Sequence, residues 1–147
     1  MNTVVSLIGN HPRRIGGTEE FARELSSQLG RLGWNSVLCF PNLPAPPAAE
    51  YLSLPNVTFE VVRDPWVNSF DAVDEMARIL RRHRPRILHC MFTEFISPFP
   101  WLAKACGVER VYFTDQGSQP EGYIPGPAPL WKRSVPRCPF RNAIWMP

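Results

Sequence analysis

The sequence predicts a parallel, doubly wound α/β sheet, and three observations carry that expectation. Short apolar segments of strand character recur at Thr3 to Ile8, Ser36 to Phe40, Val57 to Val62, Arg86 to Phe92 and Val111 to Thr114. Helical patterns stand between most of them, and alternating strands and helices fold most simply as parallel strands joined by helical crossovers. A glycine pair, Gly16 and Gly17, lies between the first strand pattern and the first helical one.

The first helix starts near Thr18, which can cap it, and Glu19 and Glu20 suit its positive end. Phe21, Leu25, Leu29 and Leu32 fall on one face, and Gly33 supplies the stop. A second helix spans Phe70 to Arg82. Asn68 or Ser69 can cap it, and Phe70, Val73, Ala77 and Leu80 form its apolar stripe. A shorter third helix is bounded by Ser97 and Pro98 before it and by Gly107 after it.

A length of 147 residues allows one domain with a real core and is too short for two full ones. Eleven of the 17 prolines fall in two stretches, Pro41 to Pro55 and Pro125 to the end. Periodicity fails from Tyr123 onward, so residues 1–122 are read as the folded domain and 123–147 as a Pro-rich irregular tail, truncated or frame-shifted.

The net charge of +3 is modest, and its densest cluster is Arg81, Arg82, His83, Arg84 and Arg86. Cations there complement the negative end of the second helix; the competing reading is a patch for anionic lipid. Phe92, Phe95, Phe99 and Trp101 would extend such a surface, with helix packing as the simpler account of those aromatics. Basic residues are not interleaved with aromatics in a nucleic-acid motif, so no nucleic acid is expected. Cys39, Cys90, Cys106 and Cys138 lack metal-site spacing, so neither zinc nor a disulfide framework is indicated. No membrane span or secretory leader is evident, and the expected setting is cytoplasmic, with contact to the inner membrane face only through the basic patch.

In open α/β sheets ligands bind beyond the carboxyl ends of the strands. The segments to inspect are therefore Gly9 to Gly17, Phe92 to Glu94 and Asp115 to Ser118. Gly16 and Gly17 let the backbone come close to a ligand, and the first N–H groups of the following helix have no internal partner and favour an anion such as a phosphate. A plain strand-to-helix turn would show the same residues. His89 lies just inside a strand exit, where a satisfied core histidine is the alternative to a functional one.

The phrases Arg14-Ile15-Gly16-Gly17-Thr18-Glu19-Glu20-Phe21, Leu29-Gly30-Arg31-Leu32-Gly33-Trp34 and Arg84-Pro85-Arg86-Ile87-Leu88-His89 together resemble the amino-terminal domain of family 4 glycosyltransferases of GT-B architecture. The resemblance covers about residues 3 to 120. Trp34 stands where the family usually has histidine, and Arg86 where it has aspartate.

The resemblance implies a Rossmann-like sheet forming the acceptor side of a two-domain enzyme. Such an enzyme moves a sugar from a nucleotide-sugar donor to an acceptor hydroxyl, usually with retention. It places the donor diphosphate at Gly16, Gly17, Thr18 and Arg14, puts His89 and Glu94 in the cleft, and matches Asp115 and Gln116 to the phrase near the transferring sugar, where the family usually has histidine and glycine. Gln116 can hydrogen-bond sugar hydroxyls but cannot gain a proton near neutral pH. The nucleotide-sugar is substrate, with no cofactor or metal implied.

The family's donor-binding domain would follow this one, so the chain is read as an amino-terminal half, inactive alone unless a separate donor-domain subunit completes it. A stand-alone module binding a phosphorylated small molecule, or a non-functional gene fragment, are the other readings.

Overall fold

A computed structural model describes residues 2–67, 69–93 and 97–114 together with the backbone of 143–146. Its order is β1 (Thr3–Ile8), α1 (Gly17–Arg31), β2 (Asn35–Phe40), α2 (Ala48–Leu52), β3 (Val57–Val61), α3 (Phe70–His83), β4 (Ile87–Met91), α4 (Phe99–Ala105), β5 (Arg110–Thr114) and β6 (Ala143–Met146). The strands form one parallel sheet in the order β3-β2-β1-β4-β5-β6. The fold is therefore a Rossmann-like doubly wound α/β sheet, as the alternating pattern predicts.

Every residue of β1 is buried, because this strand is central and covered on both faces. Side chains alternate between the faces with period two. Val5, Leu7, Val37, Cys39, Leu88, Cys90, Val111 and Phe113 pack with Met76, Ile79 and Leu80 of α3 and Phe99 and Ala103 of α4. On the other face, Ile8, Leu38, Phe40 and Met91 pack with Ala22 of α1 and Leu52 of α2. Burial in these layers pushes the Cys39 thiol far up and the Cys90 thiol up to about 12, which keeps both protonated and unreactive.

The helices depart from the expected stripes in an informative way. The deeply buried positions of α1 are Glu19, Ala22 and Ser26, while Phe21, Leu25 and Leu29 are only half-buried and Leu32 is 73% exposed. Small residues let α1 lie close to β2, where the Ser26 and Ser36 hydroxyls hydrogen-bond at 2.8 Å. Thr18 is not the cap: Gly16 occupies that position, and the Thr18 hydroxyl accepts a bond from Asn10 Nδ2 at 3.3 Å. In α3, Ser69 caps by accepting from the Ala72 N–H at 3.2 Å, and Ala77 and Leu80 are buried. Phe70 is not part of the buried stripe; it is 94% exposed at the first helical position.

Two elements lie where the sequence showed none. α2 falls inside the proline-rich Pro41 to Pro55 stretch, with Ala48 and Leu52 buried. β6 falls inside the segment read as an irregular tail. It pairs in parallel with β5, Val111 opposite Ala143 through Thr114 opposite Met146. A four-residue apolar run among prolines and arginines carries little periodicity of its own, and the free edge of β5 decides its conformation.

An ion pair anchors the exit of β3. The Glu75 carboxylate, 10% exposed, accepts from the Arg63 backbone N–H at 2.8 Å and from Arg63 Nε at 2.7 Å. Glu75→Ala leaves that N–H without its partner, so we expect a loss of about 2 kcal/mol, read as a lower urea midpoint, with Glu75→Gln recovering part of it.

Candidate functional site

The strand order places the topological switch between β1 and β4. From β1 the chain turns through α1 toward β2, and from β4 through α4 toward β5, so their exit loops diverge and leave a crevice beyond the sheet. The loops are held together at its base. The Gly9 N–H donates to the Met91 carbonyl at 2.8 Å, and a Cβ on Gly9 would stand 2.0 Å from the Phe92 carbonyl oxygen. Only glycine fits that contact. Phe92 has a φ of 54°, a conformation that a bulky L residue adopts at a cost of order 1–3 kcal/mol and that recurs at functional sites.

The amino terminus of α1 opens beside this crevice. Gly16 is extended, with φ −154° and ψ −169°, a conformation open to any residue. A Cβ on Gly17 would meet nothing within 4 Å, so the two glycines are not required by the chain's own packing. The Gly16 N–H donates to Glu19 Oε2 at 3.1 Å, half of a capping box, and Glu19 is buried. The N–H groups of Gly17 and Thr18 make no hydrogen bond among the described residues, so they are the donors this terminus presents. Arg14 is exposed in the loop and makes no ion pair among the described residues. The shielded Asn10 Oδ1 and Ser97 Oγ near the exits also find no partner among the described residues.

His89 sits deeper, 4% exposed on the sheet face beneath α1. Its Nε2 is 2.7 Å from the Thr114 hydroxyl at the end of β5, and its ring lies edge-on to Phe21 at 5.9 Å. With Val4, Phe21, Leu25, Leu29, Ile87 and Tyr112 it lines an apolar cavity of about 220 Å³. Burial lowers its pKa to about 4, so at neutral pH the imidazole is uncharged and acts as a packing and hydrogen-bonding group.

Sequence reasoning singled out Gly16, Gly17, Thr18 and Arg14, and the structure gathers them at the α1 terminus. It sets His89 apart from them, inside the face. Glu94, Asp115 and Gln116 lie outside the described residues, as does Cys138. Gly9 opened a segment marked for inspection, but its need for glycine could not be read there, because it comes from Phe92, a neighbour only in space. Glu19 was read only as a charge at the helix start; its bond to the Gly16 N–H could have been found from its position three residues on.

The basic cluster is partly neutralised, by two carboxylates. Arg82 Nη1 at 3.0 Å and His83 Nε2 at 2.7 Å both meet Glu60 Oε1. Arg86 Nε and Nη2 each donate to the Glu109 carboxylate at 2.7 Å, which holds that carboxyl below its ordinary range. Among the described residues no helix is long and apolar enough to cross a membrane, and no three His, Cys, Asp or Glu side chains gather as a metal site.

Comparison with curated proteins returned no match. A protein-family model described as Glycosyltransferase Family 4 matches residues 15–143, from the loop before α1 to the start of β6. With that match over most of its length, and with a doubly wound sheet beneath it, the chain belongs to glycosyltransferase family 4.

Proposed function

We propose that the chain is the acceptor-side domain of a glycosyltransferase that moves a sugar from a nucleotide-sugar to an acceptor hydroxyl with retention. The observation that carries this reading is the α1 terminus: two glycines that the fold itself does not need, with the Gly17 and Thr18 N–H groups presented beside the switch-point crevice. Departure of the nucleoside diphosphate is the demanding step. Negative charge grows on the leaving phosphate as the sugar becomes oxocarbenium-like, and fixed dipoles aimed there lower the barrier more than they hold ground-state substrate.

Thr18, tied to Asn10, keeps the loop closed onto the helix, and Arg14 supplies an exposed cation beside it. Glu19 limits the pocket to anions that reach the second and third N–H groups, because its carboxylate already holds the first. Asp115 and Gln116, following Thr114, orient the transferring sugar or the acceptor hydroxyl. Turnover requires the donor-binding domain of the two-domain architecture, in the same chain or as a separate subunit.

Calorimetric titration with UDP-glucose, GDP-mannose and the free diphosphates tests the reading. We expect weak binding that disappears when Gly16 and Gly17 are both changed to Ala. The fold has room for that change: the helical step at Gly17 is worth roughly 0.5–1 kcal/mol in its favour, offset by a cost of similar order at the Gly16 N-cap, where alanine is the poorer residue. Undiminished binding by the double variant would remove the diphosphate from this loop.

A further inference from the structure

The loops after β1, β2 and β3 bring together His11, Asn42 and Trp66, none of which the diphosphate site uses. Trp66 stands at the tip of a turn from Asp64 to Val67, closed by the Val67 N–H to the Asp64 carbonyl at 2.9 Å, with Pro65 ahead of it. Trp66 is 38% exposed, and the His11 ring braces its indole edge-on, 5.6 Å between centroids and 71° between planes. His11 is itself fixed by a tight turn around Pro12, the Arg13 N–H meeting the His11 carbonyl at 2.9 Å. An amide oxygen only accepts, so in the contact between His11 Nδ1 and Asn42 Oδ1 the ring donates, and Nε2 is left as an acceptor. The Asn42 amide nitrogen donates one hydrogen to the Leu43 carbonyl at 3.1 Å and keeps its second.

We propose that His11, Asn42 and Trp66 form a subsite for a sugar ring of the acceptor. A pyranose has an apolar C–H face and a rim of hydroxyls, each both donor and acceptor. A rigid indole offers the first a flat apolar platform at low entropic cost, while an imidazole acceptor and an amide donor beside it match the second. The three loops leave the same end of the sheet as the α1 terminus, so a ring held here lies on the side from which an acceptor would approach. Leu43 and Val67, the chain neighbours of Asn42 and Trp66, are 60% and 53% exposed. The inference rests on the chain being the acceptor-side domain and names the class of acceptor.

The test is direct binding of sugars to the full chain, without donor. Glucose, galactose, mannose, N-acetylglucosamine and their methyl glycosides are titrated while the five indole N–H resonances are followed by NMR, Trp66 being assigned through Trp66→Phe. We expect a saturable shift confined to the Trp66 resonance for at least one sugar, with a dissociation constant on the order of 1 mM, and about tenfold weaker binding in Asn42→Ala. The other indole resonances report that each variant is folded. No saturable shift with any sugar, an unchanged affinity in Asn42→Ala, or a shift produced by pentanol and by no sugar would overturn the proposal. Sugar binding at Trp66 without consumption of any nucleotide-sugar, even with a donor domain supplied, would defeat the transferase reading and leave the subsite standing. Transfer to an acceptor without a sugar ring would do the reverse.

Discussion

Replacing Gly9 with alanine is expected to destabilise the domain by about 3 kcal/mol or more. The added Cβ would lie 2.0 Å from the Phe92 carbonyl oxygen and 2.8 Å from its carbon, both backbone atoms at the end of β4 that no rotamer change can move. Relief requires separating the β1 and β4 exits, which sacrifices the bond from the Gly9 N–H to the Met91 carbonyl. For a chain of this size a loss of that order lowers the melting temperature by roughly 6–12 °C. Thermal unfolding followed by circular dichroism measures it. The contrast with Gly16 and Gly17 is the useful part: Gly9 is demanded by the fold, the pair by whatever approaches it. A melting temperature unchanged in Gly9→Ala would show that the two exit loops part freely, and the crevice between them would then be plastic.

The second large effect is a dependence of stability on mild acid, caused by His89. Burial lowers its folded-state pKa to about 4, whereas an exposed histidine titrates near 6.5. Between those values the unfolded chain binds a proton that the folded chain refuses, so acid favours unfolding. The stabilising contribution is complete above about pH 6.5, falls progressively as the pH drops toward 4, and changes no further below that. Its limit is about 3 kcal/mol. Urea midpoints measured from pH 7.5 to 4 should therefore fall more steeply for the wild-type chain than for His89→Gln, which keeps a polar group facing Thr114 but takes up no proton. Parallel curves for the two chains would mean that the imidazole gains its proton without opening the fold.

Much of the architecture was legible from the residues. β1 matches its expected bounds, and β2 to β5 differ from theirs by a residue or so, because strands buried on both faces form compact apolar runs that stand out between polar loops. Helix positions were legible too, but not their buried faces. In α1 the leucines and Phe21 point toward the His89 cavity, while Ala22 and Ser26 make the closest approach to the sheet. Hydrophobic periodicity finds the greasiest stripe, and close packing can select the smallest one. α2 and β6 were hidden because short elements among prolines depend on partners distant in sequence.

At the candidate site, the glycine pair could be read because its effect is local. The Gly9 contact, the pairing of Glu60 with two members of the basic cluster, and the meeting of His11, Asn42 and Trp66 all require knowing which loops become neighbours. Strand order alone supplies that.

The position of β1 also governs how the chain must be made. β1 pairs on one side with β2, which follows it closely in sequence, and on the other with β4, which emerges only after α2, β3 and α3 have been synthesised. At roughly 5–20 residues per second the interval lasts some seconds. During that time the nascent β1–β2 pair carries an apolar strand with one open backbone edge, a ready template for another chain. The strand that defines the crevice in the finished domain is thus the last part of the early chain to be protected, and the ribosome's pace, rather than the final stability, sets how long it stays exposed.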